Sequence, residues 1–134
     1  MVDGYADQFA DVDADRVIDA LRLMRRASLL IRELEAYFAR HDLSQLRFLT
    51  MILIDREPER DCLAASEIAE RLDVSRPVVT RTLQGLEKAG LVEISENADD
   101  ARSRNVTLTL EGKAKLDEVL PGYFAILHRP DPGG

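Results

Sequence analysis

The chain is short of the residues from which catalytic and metal sites are built. It has one cysteine, Cys62, and two histidines, His41 and His128. No glycine-rich phosphate loop is present, and His41, Cys62 and a carboxylate lack zinc-ligand spacing. His41 falls where a helix should end, a place that suits an imidazolium near the dipole. Neither an enzyme nor a metal or cofactor is expected. A lone cysteine forms no internal disulfide, and no apolar run approaches the ~20 residues of a membrane span. Met1 to Asp15 holds five aspartates and no lysine or arginine, so no secretory signal is expected. A reduced, cytoplasmic protein without membrane contact is the simplest expectation. Basic charge is scarce too: 18 Lys and Arg stand against 25 Asp and Glu, a net charge of −7. Between residues 66 and 104 the balance is six basic to eight acidic. The basic stripe that marks tight non-specific nucleic-acid binders is therefore missing. Sequence-specific contact through a few placed arginines is not excluded.

What is present lies mainly between Ser66 and Gly112. Ser66 to Leu72 reads as a short amphipathic helix, with Ser66 its expected cap because Ala64 cannot serve in a capping box with Glu67. Asp73-Val74 forms a turn, and Ser75 caps a second helix that carries Pro77 in its first turn. Gly90 stops that helix, since glycine enters the left-handed conformation without penalty. Leu91 to Ile94 and Val106 to Thr109 alternate as two strands of a hairpin around the polar loop 95–105. On the second helix Val79, Leu83 and Leu86 follow a buried spacing, leaving Arg76, Thr80, Arg81, Gln84 and Lys88 on a polar side. Arginine can bond guanine, glutamine adenine, and a threonine methyl can meet thymine. Taken alone, that side could be a solvated helix face. The turn, the Gly90 stop and the hairpin favour double-stranded DNA as its partner. Arg102 and Arg104 in the loop would reach a minor groove or phosphates, with Asp100 orienting an arginine.

The segments Glu67–Leu72, Val74–Arg81, Leu86–Val92, Asp100-Ala101-Arg102 and Leu108–Gly112 resemble the MarR family of bacterial transcription regulators. The resemblance is strongest from Leu43 to Leu116. It implies a homodimer on a pseudo-palindromic operator, commonly a repressor released by a small molecule or an oxidant. It assigns Ser75, Arg76, Pro77, Thr80 and Arg81 to the major groove, and Asp100 and Arg102 to the wing. The chain departs from the pattern at Ala101, where a second arginine is usual, and at Ile94, where a basic residue is common. Relatives usually carry a further long helix beyond the position of His128, so a smaller dimer interface is expected.

The expected fold is mostly α with a small β-hairpin wing, a winged helix-turn-helix with flanking dimerisation helices. Residues 1–13 form an acidic tail, 14–127 the domain (DNA-binding part 63–110), and 128–134 a disordered tail. Residues 14–40 read as one long helix with two apolar stripes. One contains Val17, Leu21, Met24, Ala27, Ile31, Leu34 and Phe38; the other Leu23, Leu30 and Tyr37. Two stripes imply two partners, its own domain and a second subunit. Ser44 caps a central buried helix with a Leu43–Phe48 staple, Arg56 to Asp61 is a solvated linker, and Glu111 to Leu127 is a last helix interrupted at Pro121-Gly122. By resemblance, a ligand cleft would be walled by Met24, Leu30, Tyr37, Phe38, Arg47 and Met51, all of them equally plausible core residues. Cys62 is the one redox candidate, beside the start of the helix-turn-helix. A redox-responsive regulator and a winged-helix protein-interaction module are the alternative readings.

Overall fold

The computed structural model describes residues 9–96 and 104–130. Five helices and three strands follow in the order α1 (Ala14–Arg40), α2 (Gln45–Asp55), β1 (Cys62–Ala64), α3 (Ala65–Leu72), α4 (Arg76–Lys88), β2 (Val92–Glu96), β3 (Arg104–Leu108) and α5 (Leu110–His128). The strands form one antiparallel sheet in the order β1-β3-β2. Leu63, Val106 and Ile94 stand side by side across it. Leu63 and Val106 are wholly buried, so this row joins the sheet to the helices.

Helix starts are set by side-chain caps. Asp13 accepts from the amides of Asp15 and Arg16, Ser44 from Arg47, and Thr109 from Gly112. The core gathers where α1, α2 and α5 meet. There the rings of Phe38 and Phe48 stack at 4.8 Å, and Tyr123 lies 4.7 Å from Phe48. Only Leu34, Tyr37 and Phe38 of α1 are buried. Most of the expected stripe from Val17 to Ile31 is not covered by the described residues. Leu21, Leu23, Met24, Leu29, Leu30 and Ile31 are all exposed. The first two-thirds of α1 thus projects from the core, at roughly 1.5 Å rise per residue.

Four sequence expectations are corrected. The sheet has a third strand, because the three residues of β1 pair with β3 rather than ending a linker. Ala64, not Ser66, is the N-cap of α3. Alanine has no acceptor, so only half of a capping box forms, with Glu67 Oε1 accepting from the Ala64 amide at 3.1 Å. Glu57 is not solvated, its side chain being 6% exposed between two arginines. Helix α5 runs unbroken through Pro121 and Gly122, and His128 is its last residue. Proline costs α5 one amide donor. The Tyr37 hydroxyl meanwhile donates to the Val119 carbonyl at 2.7 Å and braces the same turn. Gly122 is what lets Tyr37 approach, since a Cβ there would lie 2.6 Å from the tyrosine Cζ. Residues 131–134 of the expected C-terminal tail and 1–8 of the N-terminal one lie outside the described residues.

Gly122→Ala should therefore destabilise the domain by about 1–3 kcal/mol through overpacking. Urea unfolding will measure it. The loss should shrink, though not vanish, when Tyr37→Phe is added, because the nearest crowding atom, the hydroxyl oxygen, is then gone while the ring carbons remain; equal losses in both backgrounds would contradict the close-approach explanation.

Candidate nucleic-acid interface

Helices α3 and α4 are joined by a turn whose backbone explains its sequence. Asp73 ends α3 at φ 54°, in the left-handed region that Asp tolerates better than most residues. Ser75 then caps α4, its hydroxyl accepting from the Val78 amide at 3.4 Å, and Pro77 sits in the first turn. At the far end Gly90 adopts φ 78°. Its amide donates to Glu87, and that of Leu91 donates to Leu86 at 3.0 Å. That is a Schellman closure, and the buried Leu86 and Leu91 supply its apolar contact. The chain leaves it directly into β2, so the position of the hairpin relative to α4 is set by one glycine.

Val79, Leu83 and Leu86 are 3%, 3% and 0% exposed, which turns the other side of α4 outward. Arg76, Pro77, Thr80, Arg81, Gln84 and Lys88 are all exposed, as is Ser75 at the cap. Neither Arg76 nor Arg81 has a hydrogen-bond or ion-pair partner among the described residues. Arg104 is exposed at the start of β3, opposite Glu96 in the ladder. The expected wing residues Asp100 and Arg102 lie outside the described residues. The strands extend further towards them than the sequence suggested, to the Glu96–Arg104 pair.

Two arginines in and just before the helix-turn-helix are occupied. Arg60 meets Glu67 through two nitrogens at 3.0 and 2.7 Å, and Arg71 meets Glu57 at 2.8 Å. The longer contacts Arg60–Glu57 (3.7 Å) and Arg71–Glu67 (3.8 Å) close a four-residue network. It ties the loop after α2 to α3. The Arg60 guanidinium and the Ala64 amide hold the Glu67 carboxyl down to about 2. The network was legible in part, because Glu67 and Arg71 are four apart on one helix; the folding-in of Glu57 carried no local signal.

The six residues expected to wall a ligand cleft have different surroundings within the single chain. Tyr37, Phe38 and Met51 are core, and Met24 is 66% exposed on the projecting part of α1. Arg47 lies against α4 at Gly85. Leu30 alone of the six lines a groove of about 1340 Å³ between α1 and α5, together with Arg22, Arg25, Leu23, Ile126 and Leu127. Sequence reasoning did not find that groove, which depends on how far α1 projects. Cys62 is half-buried on β1 rather than at a helix N-terminus, so the helix-terminus argument for an activated thiol does not apply. Among the described residues no group of three or more His, Cys, Asp or Glu is placed to hold a metal ion. No described helix is long and apolar enough to cross a membrane.

A helix-turn-helix followed by a sheet hairpin, with an outward polar face on its second helix, defines the winged helix-turn-helix class. Within that class the family model of the MarR family matches residues 41–103. The chain is 34% identical over 122 residues to the HTH-type transcriptional repressor YetL of Bacillus subtilis, covering 90% of this chain and 72% of that protein. Among solved structures it resembles Sco3205, a MarR family regulator from Streptomyces coelicolor in complex with DNA, at TM-score 0.82 and 22% identity, covering 91% of this chain and 79% of that one. It also resembles the transcriptional regulator MOSR of M. tuberculosis in complex with DNA, at TM-score 0.66 and 27% identity, covering 81% and 76%. The chain belongs to the MarR family.

Because the folded value of Glu67 lies below its ordinary 4.5, the network's stabilisation is complete above that pH and fades as pH falls towards 2. Glu67→Gln keeps an acceptor for Ala64 but loses the charge. At neutral pH it should lose about 1 kcal/mol, a figure allowing for solvent screening of a partly exposed pair. Thermal unfolding from pH 6 to 3 should show wild type converging on the variant; parallel curves would contradict this account.

Proposed function

We propose that the chain is a DNA-binding transcriptional repressor, acting in the cytoplasm as a homodimer on a pseudo-palindromic operator and carrying no catalytic activity. The observation that carries this reading is the outward face of α4. Two arginines, a threonine and a glutamine stand exposed there, without partners for the arginines among the described residues, on a helix anchored by its opposite side. Ser75, Arg76 and Pro77 are at its N-terminal end, the end that recognition helices turn towards base edges. Arg81 and Gln84 continue the same face along the groove, and Arg104 with Arg102 would contact the backbone or minor groove from the hairpin. Asp100 would orient one of these arginines. The repressor YetL and the DNA complexes of related regulators support the reading.

Dimer formation is supported by α1. Its exposed leucines, Met24 and Ile31 continue towards the exposed Phe124 and Leu127 of α5, an apolar surface that a second copy would cover. Release by a small-molecule effector follows from family membership, and the groove between α1 and α5 offers a place where ligand and dimer packing could compete. A half-buried Cys62 on the edge strand β1, rather than at a helix N-terminus, gives the redox alternative no support.

The test is a gel shift against the DNA upstream of the chain's own gene, at low and moderate salt. Arg76→Ala and Arg81→Ala should each cost about 1–3 kcal/mol of specific binding. Circular dichroism should not change, since neither side chain belongs to the buried stripe. Wild-type affinity in both variants would overturn the assignment of α4. Sedimentation at micromolar concentration should give a dimer; a monomer would overturn the two-half-site arrangement.

A further inference from the structure

Gly85 sits in the middle of α4, where glycine weakens a helix relative to alanine. Space explains its presence. A Cβ at this position would lie 2.7 Å from Cζ of Arg47 and 3.1 Å from its Nε. The guanidinium of Arg47, reaching over from α2, thus lies against the bare backbone of the recognition helix. Arg47 is half-buried, and its side chain has no hydrogen-bond or ion-pair partner among the described residues. Two further cations flank the same spot. Arg81 lies one turn before Gly85 and Lys88 three residues after it, both exposed and likewise without partners among the described residues. Residues so spaced share a side of the helix, whereas Glu87, the one acid of α4, lies two positions on and faces elsewhere.

A partly desolvated guanidinium without an acceptor is costly, and its planar fork of N–H groups matches the oxygens of a phosphate. We infer that Arg47 and Lys88 grip a backbone phosphate beside the groove entered by α4, and that position 85 is glycine so that Arg47 can reach it. This rests on the DNA-binding reading and extends it to a residue outside the recognition helix. Arg47 contacts DNA without reading sequence. It also links α2 to the pose of α4, because the guanidinium fills the gap between them.

The probe is a fluorescein-labelled duplex enriched from a random-sequence pool by the wild-type chain, followed by anisotropy across a salt series. Arg47→Gln should weaken binding about tenfold at low salt. It should also make the slope of log affinity against log salt shallower by about one unit, while Arg47→Lys keeps the slope. Gly85→Ala leaves every charge in place yet displaces the guanidinium, so it should weaken binding in the wild-type background and have no further effect beside Arg47→Gln. An Arg47→Gln chain with the wild-type salt slope would overturn the inference, whether or not its thermal stability falls. Failure of the underlying reading looks different, since the wild type would then enrich no duplex at all.

Discussion

Val79, Leu83 and Leu86 hold α4 in place, and the outward character of the whole interface depends on them. Each buries an aliphatic side chain worth about 1.5–3 kcal/mol. Together they fix not only that the helix docks but how it is rotated. A helix turns 100° per residue, so a buried stripe at 79, 83 and 86 obliges Arg81 and Gln84 to face out and sets Thr80 at its border, while Arg76 is exposed at the helix's first position. The Schellman closure at Gly90 then passes the same constraint to the sheet, because Leu91 is both its apolar partner and the entry to β2. The polar face is therefore presented by core packing rather than by its own contacts.

Charge is distributed to the same end. The chain is acidic as a whole, and Arg60 and Arg71 are neutralised by Glu57 and Glu67 before they could add to a basic field. Among the described residues the arginines of α4 are left without such partners. This arrangement favours discrimination over general attraction. Non-specific DNA binding scales with the number of phosphates neutralised, whereas base readout needs a few donors correctly placed. A low background of non-specific binding and a usable specific contact are compatible with a net charge of −7.

Much of this was legible in the residues because the signals were local. Ser44, Ser75 and Gly90 act within one turn of themselves, and the bounds of α1 and the start of α2 came out as the spacing suggested. The buried stripe of α4 was read residue for residue. What escaped depends on distant partners. Strand β1 is three residues long and exists because Thr107, Val106 and Asn105 pair with it. Proline at 121 normally argues for a break, yet packing around Tyr37 keeps α5 continuous. Glu57 looked like solvated linker and is buried between Arg60 of the same linker and Arg71 of α3. The surroundings of the residues grouped by resemblance as a ligand cleft were equally out of reach, since packing puts Tyr37, Phe38 and Met51 in the core and leaves Met24 and Leu30 exposed. The exposed polar face of α4 needed no distant information, only the knowledge of which side of the helix was apolar.

The central claim is that two copies present their α4 faces to one side of a duplex. Hydroxyl-radical footprinting on a duplex enriched by the wild-type chain tests it most directly. Two protected patches should appear on the same face, their centres about one helical turn apart, or roughly 10–10.5 base pairs. A single patch, or uniform protection that vanishes in moderate salt, would contradict it.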